Sequence, residues 1–126
     1  MSSLQKPMSH FFRLDSKTAL ITGGSRGLGL HTATAFLLSG ASLVIITARK
    51  AGGAQGLDQA VAKLNALPDI TGRAVGIPCN ASQREDLVNL KTQVEKLTPR
   101  LDILVANAGA TWGGPFETTP DWSSAK

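Results

Sequence analysis

The stretch "ITGGSRGLGLHTATAF", residues 21–36, constrains the fold more than any other part of this chain. An apolar, β-branched segment ends there, a glycine-rich turn follows, and a helical pattern begins. Gly23, Gly27 and Gly29 occupy the junction. Glycines are needed in such a turn where the chain bends tightly and the backbone approaches a bulky ligand, a space that a Cβ would fill. The free amides and the dipole at the start of the helix then favour a phosphate group. No Gly-Lys-Ser/Thr follows, so the turn is not a Walker loop.

The rest of the chain repeats the alternation that the turn begins. "TALIT" (18–22) and "SLVIIT" (42–47) are short, apolar and bounded, as strands buried on both faces of a parallel sheet are. Between them Leu30, Ala33, Phe36 and Leu37 recur at helical spacing, and Gly40 stands at the position just past the helix end. Leu57, Val61 and Leu64 predict a second helix that stops before Pro68, and "RAVGIPC" (73–79) a third strand. Ser82 and Glu85 have the spacing of a capping box, and Leu87, Leu90, Val94 and Leu97 continue a third helix towards Pro99. "LDILVANAG" (101–109) supplies a fourth strand and its exit loop. The order β-α-β-α-β-α-β predicts an α/β fold of the Rossmann type, a doubly wound parallel sheet with right-handed crossovers. Residues 1–16 read as a short, partly disordered lead-in and 17–126 as the nucleotide-binding domain.

Composition removes several classes of function. The 126 residues suit one domain, and a hydrophobic share of 42% with 17% charged residues is that of a globular chain. The net charge is +4, yet the 13 basic residues are scattered without a stripe or interleaved aromatics, which argues against a nucleic-acid partner. No segment approaches the ~20 apolar residues of a membrane span or resembles a signal peptide. A single cysteine, Cys79, excludes an internal disulfide framework and fits a reducing, cytoplasmic setting. His10, His31 and Cys79 lack the spacing of metal ligands.

The glycine spacing, Gly-x-x-x-Gly-x-Gly preceded by Thr22, resembles that of the short-chain dehydrogenase/reductase family, and Asn107, Ala108 and Gly109 match the family's Asn-Ala-Gly after the fourth strand. Two motifs in the right strands at the right separation are far more specific than either alone. The resemblance implies an oxidoreductase with a nicotinamide dinucleotide, held by Gly23, Ser25, Arg26, Gly27, Leu28 and Gly29 of the turn and by Asn107, Ala108 and Gly109. It also implies a contact to adenine from the loop after the third strand. The family commonly has Asp there to accept from the adenine amino group; this chain has Asn80, which keeps a carbonyl acceptor but not the charge. Asp102 reads as a structural cap rather than a catalyst.

The end of the second strand selects the nucleotide. NAD binders place a carboxylate there for the ribose 2′-hydroxyl, whereas an Arg accommodates a 2′-phosphate. This chain reads Thr47, Ala48, Arg49 and Lys50, with no acid. Arg49 is either a solvated loop charge or, with Arg26, one prong of a guanidinium fork on the phosphate. The expectation is NADP(H).

The family's chemistry uses a Tyr to move the carbonyl proton, a Lys four residues later to lower the pKa of that Tyr, and a Ser on the substrate oxygen. This chain contains no Tyr and ends 17 residues after Gly109 (126 minus 109), so catalytic residues are expected to be absent and the fold to be truncated after its fourth strand. Three readings follow. One is an NADP(H)-dependent reductase of a small ketone or aldehyde, resembling 3-oxoacyl-carrier-protein reductases of lipid, polyketide or secondary metabolism. The second is a shortened, non-catalytic nucleotide-binding module. The third is an interaction protein that uses an exposed fourth strand to join another chain or a second copy of itself. Trp112, Phe116 and Trp122 either line a substrate or pack their own loop.

Overall fold

β-Branched, uninterrupted apolar runs form the two central strands, β1 (Thr18–Thr22) and β2 (Leu43–Ala48), in the computed structural model, which describes residues 8–49, 52 and 56–107. β3 (Arg73–Pro78) and β4 (Ile103–Ala106) flank them in the order β3-β2-β1-β4, with every pair parallel. Burial follows that order. Ile21, Val44, Ile45 and Ile46 are fully buried, whereas β3 is buried only at Ala74 and Ile77 and β4 alternates between half-buried and exposed positions. Pro78 ends β3 on the outer edge of the sheet, where its missing N–H costs no ladder bond.

The helices divide between the two faces. α1 (Gly27–Leu38) and α2 (Leu57–Asn65) bring Ala33, Leu37, Leu57, Ala60 and Leu64 onto Ile21, Val44, Ile46 and Ala74. α3 (Arg84–Leu97) covers the other face, with Leu90 and Val94 on Leu20, Leu43, Ile45, Ile77 and Cys79. A fully buried aliphatic side chain contributes about 1.5–3 kcal/mol by leaving water, against about 1 kcal/mol net for a hydrogen bond. Side-chain burial on both faces of the central strands therefore does more to hold the sheet than its ladder does.

The helix ends explain where the elements stop. Past α1, Gly40 takes φ +99°, its N–H bonds to the Leu37 carbonyl at 3.0 Å, and Ala41 N–H bonds to Phe36 at 3.1 Å, a Schellman closure at the glycine expected from the sequence. The capping box does not form. Gln83 is the N-cap of α3 and makes no side-chain cap bond, so the carboxylate one turn in belongs to Asp86 and not to Glu85. Asp86 accepts from Asn80 N–H at 2.8 Å and Ser82 turns its hydroxyl to Asn80 Oδ1 at 2.7 Å, so the loop satisfies itself before the helix begins. Leu87 is 43% exposed, whereas Leu90, Val94 and Leu97 of α3 pack against the sheet.

The lead-in is structured from Met8. Residues Met8–Phe12 form a 3-10 helix, Leu14 packs against the main core, and Leu14 N–H bonds to Ser39 at 2.8 Å, which ties the segment to the end of α1. The exposed pair Arg13 and Asp15, 2.7 Å apart, holds the Asp15 carboxyl below its ordinary pKa by the hydrogen bond between them. Among the described residues no helix is long and apolar enough to cross a membrane.

Asp102 is structural, as its position before the fourth strand suggested. Its carboxylate accepts from the buried Thr18 N–H at 2.8 Å, its own N–H donates to the Thr18 carbonyl at 2.9 Å, and Arg100 stands 2.8 Å away. Replacing it (Asp102→Ala) strands a buried donor and is expected to cost about 1–3 kcal/mol, read as a lower urea midpoint; an unchanged midpoint would show the clamp to be dispensable. Burial, reinforced by the charge of Asp86, pushes the Cys79 thiol above its ordinary pKa. The folded chain at pH 8 is expected to alkylate with iodoacetamide far more slowly than the urea-unfolded chain. A raised acid pKa favours the folded state fully below the unfolded thiol value of about 8.5, and that contribution is lost as pH rises from there through the folded value. Equal alkylation rates in the two states would contradict the burial of this thiol.

Candidate functional site

Parallel strands put all their carboxyl ends on one edge of the sheet, and the register makes those ends level. Thr22 is opposite both Thr47 and Ala106, and Ala48 is opposite Pro78. The segments that leave there begin at Gly23, Arg49, Cys79 and Asn107. Strand order reverses between β1 and β4, and open α/β sheets bind ligands outside the carboxyl ends at such a reversal.

The turn after β1 is held by close backbone approaches. Gly23 (φ +69°) and Gly27 (φ +56°) take left-handed conformations, and Gly24 N–H bonds to the Thr47 carbonyl at 2.9 Å. A Cβ on Gly29 would overlap the Gly23 carbonyl oxygen and come within 2.8 Å of Asn107 Nδ2. That carbonyl already accepts from Asn107 Nδ2 at 3.1 Å, so the first turn of α1, the exit of β1 and the exit of β4 meet at one point. Gly24 is a requirement that the motif spacing did not reveal, since a Cβ there would lie 2.6 Å from the Cβ of Ile46. The doubled glycine in "TGGS" is its only trace in the sequence.

Among the described residues the positive end of α1 has no side-chain answer. Its N-cap is Arg26 in an extended conformation with no side-chain cap bond, and its first turn carries no acid. α3 carries Glu85 and Asp86 in its first turn, so its positive end is already answered. Around the α1 terminus Arg26 is exposed, Ser25 is half-buried and Leu28 is 73% exposed. Arg49, at the end of β2, is exposed, with no carboxylate between Thr47 and itself. The same side of the sheet therefore presents glycine backbone, an uncapped helix start and two guanidinium groups.

The other expected residues divide by surroundings. Asn107 is half-buried; its N–H bonds to Thr22 Oγ1 at 3.0 Å, and Thr22 Oγ1 donates to the Val105 carbonyl at 3.4 Å. It therefore ties β4 to β1 as well as bordering the reversal point. Asn80 is half-buried at the end of β3, and its side-chain oxygen is taken by Ser82 rather than turned outwards. Ala108, Gly109, Lys50, Trp112, Phe116 and Trp122 lie outside the described residues. A groove of about 420 Å³ at the opposite, amino end of the strands is lined by Ser16, Thr18, Thr98, Pro99, Arg100 and Asp102. Its Asp102 and Thr98 oxygens are engaged by their neighbours, so its polar lining serves the fold. Among the described residues no cluster of His, Cys, Asp or Glu could hold a metal ion.

The comparisons with known proteins agree with this geometry. The family model described as short chain dehydrogenase matches residues 17–124. A rhamnolipid-biosynthesis 3-oxoacyl-[acyl-carrier-protein] reductase of Pseudomonas aeruginosa is 37% identical over 113 residues, which is 90% of this chain and 41% of that protein. Tropinone reductase-like 1 of Erythroxylum coca is 37% identical over 101 residues, 80% of this chain and 34% of its own length. The solved NADP complex of Pseudomonas aeruginosa RhlG superposes with a TM-score of 0.69 at 37% identity, covering 79% of this chain and 37% of that one. A 3-oxoacyl reductase of Agrobacterium tumefaciens with NADP bound gives 0.73 at 25% identity, covering 95% and 43%. The chain thus spans well under half the length of these relatives. With its parallel β3-β2-β1-β4 sheet and its glycine turn, it belongs to the short chain dehydrogenase family of oxidoreductases.

Proposed function

We propose that this chain provides the NADP(H) site of an oxidoreductase acting on a small ketone or aldehyde. The observation that carries the reading is the start of α1, which has neither a capping side chain nor an acid and lies beside glycines whose Cβ positions are blocked. The amides from Gly23 to Gly29, with Ser25 and Leu28 in the same turn, hold the diphosphate. Arg49 and Arg26 take the ribose 2′-phosphate, a charge-assisted contact that a bare 2′-hydroxyl cannot make. Asn80 borders the adenine, and Asn107, Ala108 and Gly109 border the nicotinamide side. The bound coenzyme supplies a hydride; this chain's own residues bind and orient it.

The substrate class is supported by names among the relatives, a 3-oxoacyl-carrier-protein reductase and a tropinone reductase-like protein. A role in lipid, polyketide or secondary metabolism follows from the same resemblance. The proton that accompanies the hydride needs a tuned donor, and the phenol that the family uses is missing because the chain contains no Tyr. The 126 residues alone therefore bind coenzyme without turning it over. A second reading has one observation in its favour: among the described residues β4 pairs only with β1, and Leu104 is 62% exposed. A second copy adding to that edge would join two sheets.

Titration of the chain with NADPH and NADH by coenzyme fluorescence tests the main reading. NADPH is expected to bind the more tightly. Arg49→Ala is expected to weaken NADPH by roughly 10- to 100-fold, the value of a charge-assisted hydrogen bond, and to leave NADH unchanged. Gly29→Ala is expected to weaken both. Tighter NADH binding by the unaltered chain would remove Arg49 from the site. For the β4 edge, light scattering across a concentration series is expected to show a dimer that Leu104→Lys dissolves; a monomer at every concentration would exclude it.

A further inference from the structure

The loop after β3 spends the atom that adenine recognition would use. This inference rests on the coenzyme site proposed above. Asn80 has four polar groups, and the structure occupies three of them locally. Its N–H donates to Asp86 Oδ2 at 2.8 Å, and its carbonyl accepts from Gln83 N–H at 2.9 Å. Its side-chain Oδ1 accepts twice, from Ser82 N–H at 3.1 Å and from Ser82 Oγ at 2.7 Å. A backbone N–H only donates, so Ser82 fixes which end of the amide faces it: the oxygen. An amide oxygen has two lone pairs, and both are filled. What remains is Nδ2, which has no acceptor among the described residues.

An aspartate in this place could offer only acceptors, which suit the 6-amino group of adenine. Asn80 offers a donor. We propose that Asn80 meets position 6 of the bound purine as a hydrogen-bond donor, so that the site accepts a 6-oxo base at least as well as adenine. Ser82 is the positioning residue that imposes this polarity, because it holds the amide oxygen away. Amino against amide N–H leaves two donors facing each other, whereas a 6-oxo oxygen pairs with Nδ2 directly. A site built around one polar partner discriminates through the group left unpaired.

Calorimetric titration of the full chain with NADPH and with its 6-oxo analogue, reduced nicotinamide hypoxanthine dinucleotide phosphate, reads the polarity. The analogue is expected to bind as tightly as NADPH or more so. Ser82→Ala releases one lone pair of Oδ1 and is expected to move the affinity ratio several-fold towards NADPH. Asn80→Asp makes the position acceptor-only and is expected to move it roughly tenfold or more. NADPH binding more tightly than the analogue to the unaltered chain would overturn the donor assignment while leaving the dinucleotide site intact, as would a ratio that neither substitution moves. Binding of neither coenzyme would overturn both readings together.

Discussion

Everything at the carboxyl edge of this sheet depends on how closely the first turn of α1 approaches the Gly23 carbonyl. Only a hydrogen at Gly29 fits there, since a Cβ would overlap that oxygen. The closeness has two effects. It brings the start of the helix onto the sheet, so the amides of its first turn face the space beyond the strands. It also leaves the Gly23 oxygen within reach of Asn107 Nδ2 at 3.1 Å, which joins β4 to the same point. An anion site formed from backbone amides needs no reorganisation when it binds, because the groups are already fixed by packing. The glycine spacing is therefore first a packing requirement, set by the Gly23 carbonyl and Asn107.

The two faces of the sheet are unequally finished, and the sequence shows why. On the α1 and α2 face, Ile21, Val44, Ile46 and Ala74 meet two helices, and Val105 of β4 joins the cluster. On the other face, among the described residues, α3 covers Leu20, Ile45 and Ile77 by itself. Leu104 is the register partner of Leu20, so it points to that same second face, yet it is 62% exposed where Leu20 is 7%. Adjacent strands of one sheet thus pass from core to surface over a single inter-strand spacing. Val88 of α3 is 57% exposed as well. Among the described residues Leu104 therefore adjoins the Leu20 cluster across one inter-strand spacing while itself meeting solvent.

The sequence was legible where periodicity and glycine chemistry carry the information. The alternation of four strands with three helices and the Gly40 closure follow from alternating apolar runs and a glycine at a helix end, whereas the spatial order β3-β2-β1-β4 is read from the structure. Side-chain networks were less legible. Ser82 and Glu85 satisfied the spacing of a capping box, but spacing does not say which of two neighbouring acids faces the loop; Asp86 does, and the cap moved to Gln83. Likewise the type of residue at position 80 predicted an available acceptor, and only the geometry showed Ser82 occupying it. The need for glycine at position 24 is not legible, because the neighbour that imposes it, Ile46, is distant in sequence. Leu14 carries no periodic signal, since one apolar residue has no period, and its contacts with the core and with Ser39 are tertiary.

β4 shows how fold and site are coupled. It has four residues, two of them exposed, so burial contributes little to its register. Polar contacts fix that register at both ends instead. At the amino end Asp102 exchanges hydrogen bonds with Thr18, its carboxylate taking the N–H and its own N–H meeting the carbonyl. At the carboxyl end Thr22 Oγ1 accepts from Asn107 N–H and donates to Val105, while Asn107 Nδ2 holds Gly23. A slip of one residue would turn Val105 out of the main core and break both sets of bonds at once, so the alternatives are well separated in energy. The same bonds set where Asn107 stands relative to the glycine turn. The strand that brings the fourth segment to the carboxyl edge of the sheet is thus positioned by groups that border that edge, so its stability and the geometry of the glycine turn are coupled.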